Sequence, residues 1–278
     1  MKNKGIRGFV TQVTPVSSAL TKVTFRLSEG LKYQPGQSVW LEVTRSYGSA
    51  VASQRFALCG DPVQAIRTNS YEVLAHSHSA NGVLCGLGKI KVGDLLRVEG
   101  PVGSFNIADT QSSEDVVWLA TPSGLGPFLA FIQSESFQKN RPKRTLLLVE
   151  AYRETEIAFQ ALFESKGVTV IPCVTQPDEW IQGFWGKAIS LLKSKKFQLD
   201  FSRARFFVSA GEGVSEEVVK MLTEEKGVRR EQIAKDILHA RLTSSQNQAG
   251  LWIPVELVTE EENEELLQQD YPEISRAA

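Results

Sequence analysis

The feature that most limits how this chain can fold is a change of rhythm close to residue 109. Before it, apolar residues come in short, partly alternating runs: Ile6 to Val13, Leu20 to Leu27, Val39 to Val43, Tyr71 to Ala75 and Leu95 to Val98. Turn-forming residues separate the runs, at Gly30, Pro35-Gly36, Gly60-Asp61-Pro62, Asn81-Gly82 and Gly93-Asp94. Short strands at this spacing, with no long helical pattern between them, predict an antiparallel β-barrel over residues 1–109.

After the polar stretch Asp109 to Glu114 the pattern becomes apolar strands alternating with amphipathic helices. Val116 to Ala120, Thr145 to Ala151, Val168 to Val174 and Arg205 to Ser209 read as strands, with helices near 126–135, 155–166, 184–194 and 215–226. Parallel strands joined by right-handed crossovers follow, so residues 110–245 are expected to form an α/β doubly wound sheet with ligand sites at the carboxyl ends of its strands. The last segment, 246–278, reads as an acidic extension, because Thr259 to Asp270 carries six acidic side chains and no basic one.

Charge and cysteine usage narrow the chemistry. Lys and Arg number 31 against 32 Asp and Glu, a net charge of -1, so no global field draws the chain to nucleic acid or anionic lipid. The basic start Met1 to Gly5 runs into polar residues with no cleavage site, and no apolar span follows; a cytoplasmic, monomeric protein is the expectation. Cys59, Cys85 and Cys173, with His76, His78 and His239, have neither zinc-finger nor iron-sulfur spacing, so no metal site is expected and redox chemistry would need an organic cofactor.

One loop has the form of an anion site. Thr121-Pro122-Ser123-Gly124-Leu125-Gly126-Pro127 follows an apolar strand and opens a helix, where small residues and free amides suit a diphosphate. Together with Tyr33-Gln34-Pro35-Gly36-Gln37, Arg55-Phe56-Ala57-Leu58 and Gly100-Pro101-Val102-Gly103-Ser104-Phe105, all in order and spacing, it makes residues 5 to 235 resemble the ferredoxin-NADP reductase family. The nucleotide turn is most similar to the bacterial ferredoxin (flavodoxin) reductase branch.

That resemblance implies an FAD-binding barrel, a NAD(P)-binding second domain, and hydride transfer from NAD(P)H to flavin with electrons passed on to a ferredoxin, flavodoxin or small-molecule acceptor. It places Phe56 as the ring stacked on the flavin, Arg55 or Gln54 near its diphosphate, and Ala57 where the family carries a hydroxyl facing the hydride-accepting nitrogen. Gly82, Val83, Leu84 and Cys85 match a second flavin segment, with a thiol in place of its hydroxyl. Thr121, Ser123 and Gly124 are assigned to the dinucleotide diphosphate, Arg153 and Lys187 to the adenosine phosphate, and Gly211 and Glu212 to the nicotinamide end, where Ala210 replaces a cysteine. Gln176 stands in place of a third basic residue, leaving the choice between NADH and NADPH open. The replacements at Ala57, Cys85 and Ala210 also admit an alternative: a catalytically weakened flavin- or nucleotide-binding protein that acts through a partner.

Overall fold

A computed structural model describes residues 5–44, 51–76, 90–106, 114–178, 182–237, 240–246 and 252–253. The first half supplies β1 (Ile6–Pro15), β2 (Leu20–Leu27), β3 (Ser38–Thr44), β4 (Val51–Ala57), the short helix α1 (Pro62–Thr68), β5 (Tyr71–His76) and β6 (Leu95–Val102). The second half supplies β7 (Asp115–Ala120), α2 (Gly126–Gln133), α3 (Glu135–Lys139), β8 (Arg144–Ala151), α4 (Gln160–Ser165), β9 (Val168–Val174), β10 (Phe184–Trp185), α5 (Ala188–Lys193), β11 (Arg205–Ala210), α6 (Glu212–Glu224) and β12 (Ile233–Ile237). Two further strands close the list, β13 (Ala240–Gln246) and β14 (Trp252–Ile253).

The first sheet is antiparallel, with strand order β14-β13-β4-β3-β6-β1-β2-β5. Bulges between Val10 and Gln12 and between Ser38 and Trp40 increase its curl. The bridge from Leu58 to Val73, with the Cys59 N–H donating to the Glu72 carbonyl at 3.0 Å, joins the end of β4 to β5 and closes the six strands between and including them into a curl. Inward residues of alternate positions fill it: Val10, Val23, Phe25, Val39, Leu41, Tyr71, Val73, Leu96 and Val98. Gly36, at φ +88°, is required because a Cβ there would lie 1.8 Å from the Phe105 carbonyl oxygen. The two motifs at Tyr33–Gln37 and Gly100–Phe105 are therefore halves of one packing contact.

The second sheet is wholly parallel, in the order β10-β9-β8-β7-β11-β12. Its central strand is buried on both faces. Val116, Trp118 and Ala120 turn toward α2, α3 and α4, whereas Val117 and Leu119 turn toward α5 and α6. The chain winds outward from β7 through β8, β9 and β10, then returns to lay β11 on the other side of β7, so the topological switch lies between β7 and β11.

The two halves share a core. Leu20, Cys59, Leu74 and Phe105 join Trp118, Phe128, Phe131 and Phe207 in one apolar cluster, and the Phe105 ring lies 5.7 Å from Phe131 and Phe207. Polar ties reinforce the junction, including Ser18 N–H to the Thr155 carbonyl at 2.9 Å and Gln133 Nε2 to the Cys59 carbonyl at 2.9 Å.

Two expectations change. The turn signal Gly60-Asp61-Pro62 starts α1, with the Asp61 carboxylate accepting from the Val63 N–H at 3.0 Å. The second domain, expected to run to 245, gives up its end: β13 crosses back and pairs antiparallel with β4, Ala240 opposite Gln54, so residues 240–246 extend the first sheet. An open strand edge takes a partner wherever one is in reach.

Candidate functional site

A cleft of about 450 Å³ lies between the halves, at the switch point. Gln54, midway along β4, and His76, at the end of β5, form the barrel wall; Thr121, Pro122 and Ser123 after β7, and Gly211 and Val214 after β11, form the facing wall. Glu150, Ala151, Tyr152, Glu156, Thr175 and Lys187 complete it at the carboxyl ends of β8, β9 and β10.

Strand order explains the convergence. Loops leaving the carboxyl ends of adjacent parallel strands must meet on one edge, and the barrel closes that edge from above. The Thr121 N–H donates to the Ser209 carbonyl at 3.3 Å and the Gln176 N–H to the Tyr152 carbonyl at 2.8 Å, fixing neighbouring loops to each other. Gly211 precedes α6 with no side-chain cap, and a Cβ built on it would meet nothing within 4 Å. Gly211 and Val214 put the uncapped start of this helix in the cleft lining, a fit for a phosphate or another anion.

The electrostatics are mixed. Desolvation holds the His76 imidazole below its usual pKa, against the opposing pull of an Ala19 backbone bond and of Glu156, so the ring is neutral at pH 7. Burial also raises the Glu150 carboxyl, although one of its oxygens accepts from the Ala188 N–H at 2.8 Å and so caps α5. Lys187 reaches Glu217 at 3.4 Å and Arg153 pairs with Asp178.

Of the residues singled out in the sequence, Gln54, Thr121, Ser123, Lys187 and Gly211 line the cleft. Phe56 does not. Its ring is 5% exposed and packs among the barrel core residues. Ala57 is likewise buried, against the start of α2: a Cβ on Gly126 would lie 3.4 Å from the Ala57 methyl. Arg55 ion-pairs with Asp236 at 2.6 Å. Gly124 spends its N–H on the Thr121 carbonyl at 2.9 Å, and a Cβ there would lie 1.8 Å from the Ser209 carbonyl oxygen, so close packing alone already requires the glycine. Arg153 and Glu212 are exposed outside the lining, and Gly82, Val83, Leu84 and Cys85 fall outside the described residues.

Sequence reasoning missed His76, Glu150, Tyr152, Glu156 and Thr175. Glu150 alone carried a signal, a carboxylate ending the apolar run Leu146 to Val149. Among the described residues no three His, Cys, Asp or Glu are placed to hold a metal ion, and no helix is long and apolar enough to cross a membrane. Burial pushes the Cys173 thiol up to about 12, away from reactive thiolate chemistry.

No family model matches the chain. Over 188 residues it is 26% identical to the reductase component of phenol 2-monooxygenase from Pseudomonas sp. (strain CF600), a match covering 65% of this chain and 51% of that protein. The chain thus spans about half the length of this curated relative. A ferredoxin NADP+ reductase from Neisseria gonorrhoeae with bound FAD and NADP superposes with a TM-score of 0.71 at 16% identity, covering 85% of this chain and 99% of that one. The ferredoxin reductase of carbazole 1,9a-dioxygenase gives 0.69 at 18% identity, over 84% of this chain and 68% of that one. The FAD/NAD-binding domain of a nitric oxide dioxygenase from Vibrio cholerae gives 0.68 at 18% identity, over 84% and 99%. The fold is that of the ferredoxin-NADP reductase-like proteins.

Proposed function

We propose that this chain is a flavin-dependent NAD(P)H oxidoreductase that passes electrons to a separate acceptor. The observation that carries the reading is the cleft at the switch point, walled on one side by the barrel and on the other by the open amide end of α6. Its donors suit two groups. The hydroxyls of Thr121 and Ser123 and the start of α6 would hold a dinucleotide diphosphate, with Lys187 adding positive charge. The Gln54 amide and the neutral His76 ring would meet a flavin on the barrel wall. Bound FAD supplies the hydride acceptor and one-electron carrier that the side chains of this chain lack.

The protein's own part is positional. It would hold two bound groups against each other between the barrel wall and the strand ends, which lowers the entropic part of the barrier. The phenol 2-monooxygenase relative is a reductase component and the carbazole 1,9a-dioxygenase neighbour a ferredoxin reductase, which supports an acceptor that is itself a protein, a ferredoxin, flavodoxin or oxygenase component. A second reading has its own support: with Phe56 and Ala57 buried and Arg55 tied to Asp236, the β4 side of the flavin site is thinly furnished, as in a weakened enzyme that works through a partner. Steady-state reduction of ferricyanide, by protein supplied with FAD and NADH or NADPH, separates the two. Sustained turnover supports the enzyme; flavin and nucleotide binding without turnover supports the weakened form; absence of both overturns the reading.

A further inference from the structure

On the outer face of the first sheet, away from the cleft, three apolar side chains stand in the open: Phe9 on β1 is 46% exposed, Leu95 on β6 59%, and Val92 in the turn before β6 62%. Phe9 and Leu95 are direct cross-strand partners, and the Gly93 N–H pins the turn to β1 by donating to the Val10 carbonyl at 2.9 Å. Cations border the patch. Arg26 stands opposite Phe9 on β2, Arg7 stands opposite Arg97, and an exposed Lys91 begins the turn. Like charges opposite each other in a sheet cost stability unless anions offset them. Glu99 pairs with Arg97 at 3.2 Å, whereas Arg7 and Arg26 have no ion-pair partner among the described residues.

An apolar patch bordered by cations fits an acidic segment with an apolar flank, and the chain carries one. After Val255, Leu257 and Val258 come Glu260, Glu261, Glu262, Glu264 and Glu265, with no basic side chain between Thr259 and Asp270. We propose that residues 255–265 of this chain fold back over the barrel and occupy this face, an inference independent of the flavin and coenzyme reading. Register and length agree with it. Ile253 pairs with Ser245 and Ser244 with Val51 at the start of β4, while Thr44 at the end of β3 pairs with Leu95, and Leu95 with Phe9. The segment therefore starts from the same end of the barrel as the patch. In the strand order, β6 lies four spacings from β14 and β2 lies six. At about 4.8 Å per spacing and about 3.3 Å per extended residue, about six residues reach β6 and about nine reach β2. Counted from Ile253, Val258 arrives at Leu95 and Val92, and Glu260 to Glu262 arrive at Arg7 and Arg26. The segment thus presents apolar and then acidic side chains in the order in which the strands present their apolar and cationic partners.

Zero-length carbodiimide cross-linking of the full chain tests this, because Lys91 supplies an amine at the patch and the segment supplies carboxylates. An equal mixture of isotopically light and heavy protein is cross-linked at low salt, digested and read by mass spectrometry. Lys91 should join a glutamate of residues 256–265 within one chain, and the yield should fall at least tenfold when Arg7→Glu and Arg26→Glu are combined. Both arginines are exposed, so this variant should keep the wild-type circular dichroism; if it does not, Arg7→Gln with Arg26→Gln is read in its place. Absence of the links in the wild type overturns the proposal and leaves the face to a separate acidic partner. Links that join light to heavy chains overturn it by giving the face to a second copy. A yield unchanged in the folded variant overturns it as well, because the arginines would then hold nothing.

Discussion

At the scale of single residues, the Arg55–Asp236 pair is the most exposed to test because it joins the two sheets through a buried charge. Asp236 is 2% exposed, its Oδ2 has no hydrogen-bond partner among the described residues, and its carboxyl is raised to about 6 because desolvation outweighs the pull of Arg55. A carboxyl whose pKa rises on folding favours the fold while neutral. Its contribution is full below the unfolded value of 3.8 and is lost as pH climbs through about 6, a change of about 3 kcal/mol. Arg55→Met is expected to cost roughly 3–5 kcal/mol at pH 7 by leaving the carboxylate unpaired, and clearly less at pH 5, where Asp236 is mostly protonated. Urea unfolding at both pH values checks this, and an equal cost at both would contradict it. The glycines give a second contrast. Gly124→Ala drives a methyl into the Ser209 carbonyl and should lose about 1–3 kcal/mol, whereas Gly211→Ala meets open space and should stay within about 0.5 kcal/mol of wild type.

At the scale of elements, α2 is the helix that fixes the site, since every residue from Gly126 to Ile132 is buried and the loop before it forms one wall of the cleft. Its Phe128 ring stacks on Trp118 with centroids 4.9 Å apart. Phe128→Ala should cost roughly 3–5 kcal/mol by urea unfolding; a loss below 1 kcal/mol would mean that the cluster repacks freely. This scale also shows what the sequence made legible. Strands such as Val168–Val174 are readable because continuous β-branched runs bounded by turns have few other uses. β13 is not, because its place depends on an open edge of β4 nearly 190 positions earlier, and nothing local encodes that pairing. The site divides the same way. Gln54, Thr121, Ser123, Lys187 and Gly211 belong to stretches with their own pattern, while His76, Tyr152 and Thr175 gain meaning only from the strand order that gathers them. Phe56 shows why: an aromatic in a strand fits a core as well as a stacking face, and the neighbouring packing that surrounds it is not local.

At the scale of the whole molecule, the shared cluster around Phe105, Trp118 and Phe207 makes the junction part of the core. The halves should therefore unfold together. Scanning calorimetry is expected to give one transition with matching calorimetric and van't Hoff enthalpies, and two resolved transitions would show that the junction is weaker than its packing implies. A junction packed into the core also ties the two walls of the cleft to each other, which suits transfer between two bound groups. The most direct measurement is the absorbance of the FAD-supplied protein under anaerobic conditions as NADH is added. The expected result is retention of one flavin per chain and bleaching of its visible bands by NADH. A protein that holds no flavin, or holds it with bands unchanged by NADH and NADPH alike, would contradict the assignment of the cleft as a hydride-transfer site.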